Sequence, residues 1–123
     1  LGCVAALEVI RMLQQEQLVE RANVIGQIAI DRFRRLQEKY ETVGDVRGLG
    51  AMVAVEFVTD AKTKTPNKEL TAAILRECHQ RGVIVMGAGL YSNVIRLLTP
   101  LVITDEQLEE ALDVIEEVIA ELA

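Results

Sequence analysis

Asn93-Val94-Ile95-Arg96-Leu97-Leu98-Thr99-Pro100-Leu101 reads as a buried β-strand with one arginine in its middle. Side chains alternate across a strand, so Val94, Arg96 and Leu98 share one face while Ile95 and Leu97 share the other. Arg96 therefore projects from an otherwise apolar face. Arginine cannot shed its charge by deprotonating, so a buried guanidinium needs an anionic partner, and its planar fork suits a carboxylate or phosphate. A ligand meets that need. So does a protein carboxylate in a structural ion pair, or an edge position from which the head reaches water along its aliphatic stem.

Downstream, Pro100 ends the strand and Thr104-Asp105-Glu106-Gln107 matches a capping box, with Thr104 as the cap and Gln107 three positions on. In the helix that follows, Leu108, Leu112, Ile115, Ile119 and Leu122 form an apolar line. Glu109, Glu110, Asp113, Glu116 and Glu117 turn to water, an acidic run that reads as a solvated face and not a metal site. Upstream, a flexible Gly87-Ala88-Gly89 and Tyr91-Ser92-Asn93 connection joins Arg96's strand to one predicted over residues 83–86. A helix is predicted over 70–81, closed by Gly82 as a left-handed cap, with Pro66 in its first turn. Another strand spans 52–58 after a Gly48-Leu49-Gly50 kink, and Gly44-Asp45 reads as a turn. The chain opens with helical spacing at Val4, Leu7, Ile10 and Leu13, then at Leu18, Ala22, Ile25, Ala29, Phe33 and Leu36, with a break over 14–17 and an end near Tyr40.

The order helix, helix, strand, helix, strand, strand, helix gives an α+β fold in one domain over 1–123, with a helical lead-in over 1–41 and an α+β sandwich over 42–123. Each strand is apolar at nearly every position, so both sheet faces call for cover. A second domain or subunit docking near Arg96 would supply it, or the leading helices would.

Composition narrows the function. At 123 residues the chain is long enough to bury a core without disulfides or metals. A net charge of −6 argues against nucleic acid, and Arg32, Arg34 and Arg35 are interleaved with Asp31, Glu38 and Glu41 as on a solvated face. Cys3 and Cys78 lack any ligand-like spacing and read as buried free thiols; His79, the single histidine, reads as a surface residue at a helix end. No metal site is expected. No window reaches the apolar length of a membrane span, and a soluble, cytoplasmic protein is expected. Leu1 begins inside a helical pattern with no cap ahead of it, which reads as a piece of a longer chain.

With these elements placed, the chain resembles the C-terminal small domain of class III (fold type I) pyridoxal-phosphate aminotransferases. Leu1-Gly2-Cys3-Val4-Ala5-Ala6-Leu7 resembles the helix after the family's Gly-Asn-Pro turn. Gly44-Asp45-Val46-Arg47-Gly48-Leu49-Gly50-Ala51-Met52 resembles its small-domain motif, and Asn93 to Leu101 its later one. Ile103-Thr104-Asp105-Glu106 is similar too. The likeness is strongest to the 4-aminobutyrate aminotransferase branch.

The resemblance implies a mainly antiparallel sheet of three to four strands with helices on one face. It implies Arg96 as the arginine that binds the substrate carboxylate, pyridoxal 5′-phosphate as cofactor of the parent enzyme, and amino and keto acids as substrates. A large domain of the same enzyme and a second subunit of a homo-oligomer are the implied partners. Arg47 is expected to hold the glycine turn or the domain junction. The cofactor lysine is expected outside these residues, because Lys39, Lys62, Lys64 and Lys68 lie in polar helix-end or loop sequence. The chain alone should then be inactive. A stand-alone small-molecule-binding or dimerisation module is the alternative.

Overall fold

The computed structural model describes residues 1–123. The chain forms α1 (Gly2–Gln15), α2 (Leu18–Lys39), β1 (Val43–Leu49), β2 (Met52–Phe57), α3 (Lys68–Gln80), β3 (Met86–Ala88), β4 (Val94–Leu98) and α4 (Asp105–Leu122). The four strands make one sheet in the order β1-β2-β4-β3, every neighbouring pair antiparallel. β4 is thus inserted between β2 and β3, which α3 connects. The α+β class and the antiparallel sheet agree with the expectation.

Local chemistry sets the helix ends. Gln17, at φ 51°, breaks the leading helical run between α1 and α2, inside the polar stretch. The capping box of α4 is present: Thr104 Oγ1 accepts from Gln107 N–H, and Gln107 Oε1 accepts from Thr104 N–H, each at 3.2 Å. At the end of α3, Gly82 takes φ 85° and donates to His79 C=O at 3.1 Å, while Val83 N–H donates to Cys78 C=O at 2.9 Å. This is a Schellman closure.

That closure explains one correction. Val83 is engaged by the helix end and Val85 C=O by His79 Nε2, so the strand predicted over 83–86 begins only at Met86 and runs into Gly87 and Ala88, which had read as loop. A second correction concerns Gly44-Asp45, read as a turn but lying inside β1, where the register shifts between Val43 and Asp45. A bulge uses the residue types of a turn. Pro66 is not in the first turn of α3: it forms an isolated bridge with Val58, and Asn67 caps the helix by accepting from Leu70 N–H at 3.1 Å.

The core lies between one sheet face and helices α2, α3 and α4. Ile25, Ala29, Phe33 and Leu36 from α2 meet Val53, Val55, Phe57, Ile95 and Leu97 from the sheet, with Ile74 and Cys78 from α3 and Leu112, Ile115 and Ile119 from α4. α1 buries no residue and packs only against α2, so Cys3 is exposed, not buried as expected; Cys78 is buried.

Arginines tie the helix layer together. Arg32, read as part of a solvated face, reaches from α2 to Glu116 at 2.7 Å and to Glu109 and Asp113, all three on α4. Part of the supposedly solvated acidic run is therefore a cage around one half-buried guanidinium. Linear periodicity could not show that the polar margins of α2 and α4 face one another. Arg81 similarly joins α3 to Glu121 at 3.1 Å, and Arg21 joins α2 to Asp105 at 2.6 Å.

The β1–β2 hairpin tip rests directly on α2. A Cβ at Gly26 would lie 1.9 Å from Gly50 C=O oxygen, and Gly50 holds φ 55° in the turn. Gly26→Ala should therefore destabilise the fold by about 1–3 kcal/mol despite a helix-propensity gain of about 1 kcal/mol. Urea unfolding of the two proteins tests this; a gain in stability would refute the close packing.

Candidate functional site on the open sheet face

The leading helices do not cover the second face of the sheet. α2 lies on the core side, and on the other side Leu49 (82% exposed), Met52 (55%) and Leu98 (54%) are uncovered. The register lays this face out in rows. Arg47, Ala54, Arg96 and Met86 form one row across β1, β2, β4 and β3; Asp45, Glu56, Val94 and Ala88 form the next.

The two arginines of the first row differ in their partners. Arg47 donates from Nη1 to Asp45 at 2.6 Å and to Glu56 at 2.9 Å, and these bonds, Asp45's first, raise its pKa above the ordinary arginine value. Neither bond reaches the Gly48-Leu49-Gly50 turn that Arg47 was expected to hold. Arg96 has no ion pair, and its Nε is buried without a hydrogen-bond partner. Three arginines of the chain are half-buried, namely Arg21, Arg32 and Arg96, and only Arg96 is unpaired. Neither the structural ion pair nor a fully hydrated edge arginine describes it, since β4 is an interior strand. An orphaned donor on a guanidinium is costly, and an anion delivered to this face would relieve it.

The sequence reading found Arg96 but missed Glu56 and Asp45. Glu56 was findable: it shares a strand face with Met52 and Ala54, as Arg96 does with Val94 and Leu98. Asp45 was hidden by its resemblance to a turn residue.

Other reactive groups are placed elsewhere. His79 lies at the end of α3 with Nε2 3.1 Å from Val85 C=O, and no group of three or more His, Cys, Asp or Glu is arranged to hold a metal. Lys39, Lys62, Lys64 and Lys68 are all exposed at helix ends or in a loop, so none fits the buried Schiff-base lysine that pyridoxal phosphate requires. Cys78 is no nucleophile, because burial pushes its thiol up to about 11.

The fold is that of a transaminase domain. An amine transaminase from an uncultivated Pseudomonas species, solved in its PLP-bound internal aldimine form, superposes with a TM-score of 0.86 and 31% identity, covering 98% of this chain and 27% of that one. The chain belongs to the class-III aminotransferase family, whose model matches residues 1–119. It is similar to the 4-aminobutyrate aminotransferase GabT of Escherichia coli K12, 43% identical over 94% of this chain and 27% of that protein. The 5-aminovalerate aminotransferase DavT of Pseudomonas putida KT2440 is 40% identical over 100% of this chain and 29% of that protein. The chain thus spans less than a third of the length of these relatives. No helix is long and apolar enough to cross a membrane.

Cys78 also makes a pH prediction. The unfolded thiol titrates near its ordinary 9.0 and the folded one near 11, so the stability it contributes is complete below about pH 9 and is lost as pH rises to about 11. Denaturant midpoints of the protein and Cys78→Ala should converge over that window. A constant difference from pH 8 to 11 would refute the shift.

Proposed function

We propose that this chain is the small domain of a pyridoxal-phosphate-dependent transaminase that moves an amino group from 4-aminobutyrate or a related ω-amino acid to 2-oxoglutarate. Within it, Arg96 binds the substrate carboxylate. The observation that carries the reading is the unpartnered Arg96 Nε on an uncovered, largely apolar sheet face. The similarity to GabT and DavT supports the choice of ω-amino acids, whose acid end a guanidinium matches.

The cofactor lysine and the groups that recognise the amino end lie outside these residues in this reading, and the chain alone is inactive. The large domain and a second subunit cover the open face, bringing Leu49, Met52 and Leu98 out of water and lowering the dielectric around Arg96. Desolvation strengthens a guanidinium–carboxylate pair, and a two-pronged pair fixes the direction of the substrate as well as its position. That orientation is the contribution of Arg96 to rate: a substrate held in one pose reacts without a further search over rotations. The interior position of β4, paired on both edges, keeps the arginine stem still. Ala54, directly across from Arg96, leaves space for the carboxylate.

In the complete enzyme, Arg96→Lys keeps the charge and loses the planar fork. It should lower kcat/KM for glutamate by about 10- to 100-fold, corresponding to one charged hydrogen bond of about 1.5–3 kcal/mol. Steady-state kinetics with glutamate varied would measure it, and unchanged kinetics would overturn the assignment.

A further inference from the structure

We infer that Arg47 is a positioning residue whose task is to hold Glu56 away from Arg96, so that Arg96 stays free for a substrate carboxylate; this rests on the role proposed for Arg96. Asp45 and Glu56 are directly opposed across β1 and β2 on the open face. Like charges in that relation repel unless a cation bridges them. Arg47 is that bridge, bonded to both carboxylates.

Glu56 has a second cation within reach. Ala54 is flanked in its row by Arg47 on one side and Arg96 on the other, so each arginine is a diagonal neighbour of Glu56. Diagonal neighbours stand about 7–8 Å apart at Cα, close enough for long side chains to pair. Glu56 bonds to Arg47, and Arg96 Nε has no partner. The strands place no lysine or histidine on this face. With Arg47 removed, Arg96 is the one cation the strands leave on this face, and Glu56, its diagonal neighbour, turns to it and competes with the substrate. The two acids serve Arg47 in turn: together they balance it, so it does not itself become a rival carboxylate site beside Arg96.

The test uses the complete enzyme and the kinetics of glutamate. Arg47→Met should raise KM by about fivefold, the upper end for a partly exposed ion pair, with kcat changed less than about twofold. Arg47→Lys should raise it less. Adding Glu56→Gln to Arg47→Met removes the competitor and should return KM to within about twofold of the parent. A purely structural role for Arg47, as the bridge between two like charges, predicts instead that Arg47→Met lowers the urea midpoint and the double variant restores it while KM stays at the parent value, so unfolding is read beside KM. The inference is overturned if Arg47→Met leaves KM unchanged, or if Glu56→Gln fails to restore it. Should Arg47→Met not fold, Arg47→Gln carries the same expectation, since it too cannot neutralise a carboxylate. Arg96→Lys in the same assay separates the two ideas: an unchanged kcat/KM there overturns the carboxylate role and this inference with it. A lowered kcat/KM there with no rescue of KM in the double variant overturns this inference alone.

Discussion

Alternation along β4 is the constraint on which the rest depends. Ile95 and Leu97 enter the core while Arg96, between them, must not. A slip of one residue against β2 or β3 would bury the guanidinium among Phe33, Ile74 and Leu112 and expose two core residues, so the register is strongly specified. Asn93 pins it. Its buried side chain donates to Phe57 C=O at 3.0 Å, and its own C=O accepts from Phe57 N–H at 2.8 Å, clamping the start of β4 to the end of β2. The same clamp that protects the core therefore aims Arg96.

The charges in this fold follow one rule with one exception. Where a guanidinium is half-buried, opposing carboxylates meet it: three around Arg32, and Asp105 at Arg21. These pairs join helices that are distant in sequence and help hold the layer over the core. Arg34, Arg35 and Arg76 are exposed, need no partner, and have none. Arg96 is both half-buried and unpaired, on a face whose nearest acids are already bonded to Arg47. A fold that satisfies its buried cations everywhere else marks this one as open to something outside the chain.

The elements legible in the sequence were those written in local chemistry. The capping box at Thr104, the left-handed Gly82 and the helical spacing from Ile25 to Leu36 each depend on residues within one or two turns, and each stands as read. The misread stretches involve choices between partners. Val83 carries strand-forming chemistry, yet the end of α3 captures its N–H first; Gly44-Asp45 carries turn chemistry, yet the edge of β2 draws it into a bulged strand. Propensity ranks local options, and tertiary contacts select among them.

The candidate site divides along the same line. The sequence by itself determined that Arg96 is a permanent charge in a strand of alternating apolar residues, because side-chain period and guanidinium chemistry need no long-range information. It also determined the family resemblance, carried by contiguous motifs. Only the tertiary structure decided that Arg96 lacks a protein partner, that the opposite sheet face takes the helices, and that Asp45 and Glu56 converge on Arg47. These facts depend on which strands lie side by side. Arg47 and Ala54 meet within the β1–β2 hairpin, but Arg96 joins their row only when β4 pairs with β2, a pairing that no local pattern encodes.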